Sequence, residues 1–126
     1  MTIPFAGCWF FCYAESKDGL NWVKPNLGLY EYEGSKDNNI ILRSVDKPEP
    51  GGFFDNFCAF YDTNPNCKPD ERYKAIGGII QQGGIHVFAS PDGIHWHLLA
   101  DGPVITRGAF DSMNMAFWNP ATGKYH

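Results

Sequence analysis

The sequence predicts an all-β chain of short antiparallel strands, and three observations carry that prediction. Aromatic residues make up 16% of the 126 positions, and 14 Gly with 9 Pro exceed the roughly 12% those two residues take in an average protein. Many strands broken by many turns produce this mix, and long helices do not. The second observation is an internal repeat of the pattern S-x-D-G-x-x-W, found at Ser16-Lys17-Asp18-Gly19-Leu20-Asn21-Trp22 and again at Ser90-Pro91-Asp92-Gly93-Ile94-His95-Trp96, 74 residues later. The third is that no ten-residue window free of Gly and Pro shows a 3.6-residue apolar period.

The elements follow in order. Residues 2–14 are largely apolar and read as a buried strand. Phe5-Ala6-Gly7-Cys8 faintly resembles a lipoprotein cleavage box, but no Lys or Arg precedes it and the apolar stretch before Cys8 is too short for a signal sequence. Residues 10–14 and 86–89 are aromatic-rich runs leading into the two Asp-Gly turns. Between the copies lies an insertion, residues 23–52. There Leu29-Tyr30-Glu31-Tyr32-Glu33 alternates, Gly34 to Asn39 is turn chemistry, and Ile40-Ile41-Leu42 supplies a second strand, so a hairpin is expected. Pro48 to Gly52 reads as an irregular link.

Residues 57–61, 73–76, 85–89 and 96–99 then form four strands, with turns at Asn64-Pro65, Gly83-Gly84 and Asp92-Gly93. A second repeated element relates Phe54-Asp55-Asn56, Phe60-Tyr61-Asp62 and Arg72-Tyr73-Lys74 to Phe110-Asp111-Ser112, Phe117-Trp118-Asn119-Pro120 and Gly123-Lys124-Tyr125. Four antiparallel strands per repeat is the blade of a β-propeller. On this reading residues 1–22 end one blade, 53–109 hold a complete four-stranded blade and its link, and 110–126 begin a third. A propeller closes with four to eight blades, so the chain reads as a fragment whose partners include the missing blades.

Charge and cysteine content narrow the chemistry. A net charge of -4 offers no basic footprint for nucleic acid or an anionic membrane, and no apolar run reaches the ~18 residues of a membrane span. The four Cys make no C-x-x-C, and with four scattered His they form no zinc signature, so no cofactor is expected. Cys8 and Cys12 share a strand face too far apart to bond, Cys58 and Cys67 meet only if a hairpin joins them, and free thiols are the default. Asp62-Thr63-Asn64-Pro65-Asn66 through Asp70 has the oxygen spacing of a calcium loop but lacks its Gly and its bidentate Glu, and Pro65 accounts for it as a plain turn. His95 and His97 flank Trp96 without a third ligand. Neither a phosphate loop nor a G-x-S-x-G elbow occurs.

Asp55 and Asp111 start equivalent inner strands. In a propeller such residues face the central funnel, where converging carboxylates repel and one keeps its proton. Glycoside hydrolysis needs that division between acid and base or nucleophile. The plainer reading is that each Asp ties down a strand start through backbone amides. Asp18 and Asp92 read as turn-closing residues, with Trp22 and Trp96 as apolar wedges between blades. Glu15 is charged where the other copy has Ala89, which fits either a site or a solvated face. Tyr30, Tyr32 and Trp118 fit sugar stacking or blade core.

Several runs together resemble bacterial propeller proteins related to the N-terminal domain of family 32 glycoside hydrolases. They are Tyr13-Ala14-Glu15-Ser16-Lys17-Asp18-Gly19 to Trp22, Lys24-Pro25-Asn26-Leu27-Gly28-Leu29, Gly34-Ser35-Lys36-Asp37-Asn38-Asn39-Ile40, Asp62-Thr63-Asn64-Pro65 with Glu71-Arg72-Tyr73-Lys74-Ala75, the second S-x-D-G-x-x-W, and Phe110-Asp111-Ser112 to Trp118. The resemblance implies a five-bladed propeller shared by families 32 and 43, acting on glycosidic bonds of an oligo- or polysaccharide through funnel carboxylates. Asp111 resembles the Asp that begins an inner strand in family 43 and tunes the acid, and Asp55 is its equivalent one blade earlier. Glu15, Asn56, Asn114 and Trp118 are the candidate substrate contacts. The W-M-N-D-P-N, R-D-P and E-C motifs of family 32 enzymes are absent here, so the third carboxylate is unassigned. The alternatives are a non-catalytic carbohydrate-binding propeller and an inactive truncated fragment. Compartment stays open, with export expected if the substrate is a polysaccharide.

Overall fold

Strand, tight turn and strand is the unit from which this chain is built. The computed structural model describes residues 10–43 and 56–126, so Cys8, the 48–52 link and Asp55 lie outside the described residues. Among the described residues the regular elements are antiparallel strands and two single 3-10 turns, at Pro69–Glu71 and Ile80–Gln82. The all-β reading holds.

The largest sheet has four strands in sequence order: β5 (Cys58–Tyr61), β6 (Tyr73–Gly77), β7 (His86–Ser90) and β8 (His97–Leu98). These are the four expected strands, each displaced by a residue or so at its ends. Their register sets Ala75 opposite Phe88 and Lys74 opposite Ala89. Ala75 and Phe88 are buried and form the core with Leu42, against which Phe11, Phe57, Trp96 and Leu98 pack. Period-two alternation puts Lys74 and Ala89 on the other face, where both are buried too. The central strands β6 and β7 are therefore buried on both faces, while β5 leaves Ala59 and Tyr61 exposed.

The two S-x-D-G-x-x-W copies fold alike, bond for bond. Ser16 Oγ accepts from the Gly19 amide at 2.9 Å, and Ser90 Oγ from the Gly93 amide at 2.8 Å. Asp18 Oδ1 accepts from the amides of Leu20 and Asn21, as Asp92 Oδ1 does from Ile94 and His95. Each indole N–H donates to the glycine carbonyl, Trp22 to Gly19 at 3.1 Å and Trp96 to Gly93 at 2.9 Å. The glycines sit at φ of 76° and 79°, where a Cβ would be strained. Ser, Asp, Gly and Trp are thus each fixed by one local need.

Pairing beyond the turn also repeats. In the first copy β2 (Glu15–Ser16) pairs with β3 (Trp22–Val23), Glu15 opposite Val23, and Ala89 opposite His97 is the same register 74 residues on. After each hairpin the chain leaves and returns to the same sheet edge. In the first copy it returns as β4 (Ile40–Arg43) on β1 (Phe10–Cys12), and in the second as the single bridge of Ile85 with Ile105. Gly84, at φ 128°, enables that second return, since a Cβ there would lie 2.1 Å from the Ile105 carbonyl oxygen.

This arrangement corrects the expected hairpin in the insertion. Ile40-Ile41-Leu42 pairs with β1 and not with residues 29–33. The alternating run makes only a tight turn, with Tyr32 and Ser35 exchanging both backbone bonds around Glu33 and Gly34 at positive φ. All three β4 aliphatics are buried, so β4 needs an apolar neighbour on each face, and alternating Tyr–Glu residues cannot supply one. The first aromatic run is also interrupted at Tyr13 and Ala14, where Asn39 takes Tyr13's backbone N–H and C=O in place of a strand neighbour.

The two tryptophans are packed differently. Trp96 packs edge-on against Phe57 at 5.1 Å, whereas Trp22 is 62% exposed. Trp96→Ala should therefore cost about 3 kcal/mol in urea unfolding, and Trp22→Ala less than about 1 kcal/mol. Equal losses would mean that the two copies share the same surroundings.

Candidate functional site

Asp111 lies in an irregular segment ahead of β9 (Trp118–Asn119), exposed, with no hydrogen bond to its carboxylate among the described residues. Its surroundings are unusual. Phe110, the preceding residue, holds φ 53°, a conformation that a bulky side chain rarely adopts. Asn56, the residue after Asp55, holds φ 56°. The Asn56 side-chain amide donates to the Phe110 carbonyl at 3.3 Å across 54 residues of sequence. The Phe110 ring lies over Gly108, where a Cβ would sit 2.6 Å from it. The backbone next to each repeated aspartate is thus left-handed, and one hydrogen bond ties the two segments together.

The other candidates are placed differently. Asn114 donates to the Ser112 carbonyl at 2.9 Å and organises its own loop. Trp118 packs edge-on against Tyr125 at 5.0 Å and is half-buried. Glu15 stands on β2 in another sheet and accepts from the Tyr13 hydroxyl at 3.0 Å, a bond that raises the Tyr13 pKa. No contact among the described residues brings Glu15 to the Asp111 segment.

Sequence reasoning missed the strongest polar cluster. Asp62 is fully buried and its Oδ2 accepts from Lys74 Nζ and from the Tyr125 hydroxyl, each at 2.6 Å. Its Oδ1 takes the Asn64 amide at 2.9 Å. Tyr125 belongs to β10 (Lys124–Tyr125), which pairs with β9, so the carboxylate links the final hairpin to the four-stranded sheet. Burial opposes ionisation of Asp62, but the bonds from Lys74, Tyr125 and the Asn64 amide outweigh it and hold the carboxyl at about 2. Burial likewise opposes the charge on Lys74, and Asp62 more than restores it. The signal in sequence was a lysine at an inward position of a strand otherwise read as core.

The same cluster gives the residues of the calcium-like spacing other partners. The Asp62 carboxylate already holds a cation, the Lys74 ammonium, and the Arg72 guanidinium binds the loop carbonyls of Asp62, Asn64 and Cys67 at 3.0–3.1 Å. Among the described residues no group of three or more His, Cys, Asp or Glu is placed to hold a metal ion. His95 does not share a strand face with His97, because it lies in the turn with Nδ1 2.7 Å from Asp92 Oδ2. Asp92 stays ionised, since those turn bonds outweigh its burial, so the ring nitrogen is the donor. Cys12, Cys58 and Cys67 are free thiols.

No family model, curated protein or solved structure matches this chain.

Asp62→Asn leaves the Lys74 ammonium buried beside a neutral partner and should cost about 3 kcal/mol or more. Because the folded carboxyl titrates near 2 and the unfolded one near 3.8, Asp62's ionisation contributes roughly 2.5 kcal/mol, by linkage, above about pH 4. That contribution should fade as pH falls from about 4 to 2. Urea midpoints measured across that range should fall more steeply for wild type than for Asp62→Asn.

Proposed function

We propose that the chain is part of a five-bladed β-propeller that hydrolyses glycosidic bonds of an oligo- or polysaccharide, with Asp111 and Asp55 as funnel carboxylates. The observation that carries this reading is the Asn56–Phe110 hydrogen bond between two left-handed residues, each adjacent to a repeated aspartate. Strained non-glycine backbone gathers where side chains must be aimed, and here it accompanies two carboxylates at equivalent repeat positions. The four-stranded sheet and the in-register second hairpin support the blade reading. The motif resemblance supports the reaction class.

On this reading Asp111, open to solvent, faces the sugar. One carboxyl of the pair protonates the leaving oxygen or tunes the group that does, and the other acts on the anomeric carbon or its water. Asn56 is a positioning residue, since its amide holds the Asp111 segment through the Phe110 carbonyl. Trp118, packed against Tyr125, opens the strand that follows that segment.

In the intact protein carrying this segment, Asp111→Asn should lower kcat on aryl glycosides by about 100-fold or more, with KM little changed. Hydrolysis unaffected by the substitution removes Asp111 from the mechanism. Asn56→Gly keeps the left-handed backbone while deleting the amide, and it should lower kcat about tenfold without loss of fold. Sugar binding without turnover in the wild type would favour the carbohydrate-binding alternative.

A further inference from the structure

The two repeat copies differ in what lies on the inner edge of their central strand. In the second copy β7 is paired on that side by β6 over its whole length, from Tyr73 opposite Ser90 to Gly77 opposite His86. In the first copy, among the described residues, the equivalent residues 12–16 have partners on the outer side alone, namely β4, Asn39 and β3. Tyr13 directs its backbone N–H and C=O outward to Asn39. By strand alternation Cys12, Ala14 and Ser16 direct theirs to the other edge, where no strand lies among the described residues. Trp22 is exposed on the outer side, while its counterpart Trp96 is packed on Phe57, which precedes β5, one strand beyond β6.

We infer that the edge of residues 12–16 receives an antiparallel β-strand in which a Lys or Arg is followed directly by a large apolar residue. The register comes from the second copy. Ala89 faces Lys74 there, and its first-copy counterpart is Glu15, so a basic residue opposite Glu15 meets an acid. Phe88 faces Ala75, and the counterpart of Phe88 is Ala14. The buried pair is small against large in the second copy, both residues at most 2% exposed. With Ala14 as the small member, the incoming residue must supply the volume that Phe88 supplies there. Main-chain bonds to Cys12, Ala14 and Ser16 give affinity, and these two side chains give selectivity. The inference rests on the blade reading above and not on sugar chemistry, so strand capture without glycan turnover separates the two.

The test titrates the 126-residue chain with a synthetic copy of its own residues 71–78 carrying Ala75→Leu, which presents Lys followed by Leu. Amide exchange should slow at Cys12, Ala14 and Ser16. A peptide that also carries Lys74→Glu should bind about tenfold more weakly, since attraction across one pair becomes repulsion. The protein variant Glu15→Lys should reverse that preference. Absence of binding, protection at other amides, or binding indifferent to both charge changes would overturn the inference. Protection of the same three amides without peptide would also overturn it. A concentration-dependent signal would give the edge to a second copy of the chain, and a concentration-independent one to a segment of the same chain.

Discussion

The buried carboxylate of Asp62 is the constraint on which the rest of the arrangement depends. Its three bonds reach three places: Lys74 inside the four-stranded sheet, Asn64 in the loop after β5, and Tyr125 on the last hairpin. A buried ion pair adds little net stability over an apolar substitute, because desolvation offsets most of the attraction. What it adds is uniqueness. A carboxylate and an ammonium sealed from water tolerate few geometries, and an apolar contact slides at small cost. The hairpin of β9 and β10 is two residues deep on each side and has little core of its own. Its position, and through it the course of residues 110–117, follows from where the Tyr125 hydroxyl must sit.

The two S-x-D-G-x-x-W turns show how far local chemistry reaches. Their hydrogen bonds agree because every donor and acceptor lies within the motif, so neither copy needs help from outside. Even the variable position before Trp plays one role in both, Asn21 donating to Asp18 Oδ2 and His95 to Asp92 Oδ2. Packing is not local, and there the copies part. The same indole is fixed by the same bond to a glycine carbonyl in each, yet one is packed against Phe57 and the other faces water. A turn can be inherited by a motif, whereas a buried face has to be supplied by neighbours.

What could be read from sequence divides along the same line. The four strands of the main sheet were legible because alternation, aromatic content and turn residues agreed at each end. Ile40-Ile41-Leu42 was recognisable as a strand, but its partner was not, since a continuous apolar run carries no register. The alternation at Tyr30 to Glu33 suggested the nearer partner, and burial on both faces of β4 chose β1. Asp62 was legible as part of a turn with calcium-like oxygen spacing, but its partner was not, because spacing in a loop is visible in sequence and a lysine arriving from the next strand is not. Asp111 and Asp55 were legible as repeat positions. Their left-handed neighbours were not, since nothing in Phe or Asn obliges the backbone to turn that way.

That last point bears on function more than any packing detail. Glu33 also has positive φ, but it sits in a two-residue hairpin whose twist demands it. Among the described residues Asn56 and Phe110 lie outside the strands and close no hairpin, and glycine at either position would relieve the strain. Holding a non-glycine residue there costs on the order of 1–3 kcal/mol. The hydrogen bond between them returns about 1 kcal/mol of that. Each side chain, however, has an occupation that glycine would forfeit, the Asn56 amide as the link across 54 residues and the Phe110 ring as the cover over Gly108. Together they fix the direction in which the chain leaves Phe110, and with it the direction of the next side chain, an aspartate that no other described residue restrains.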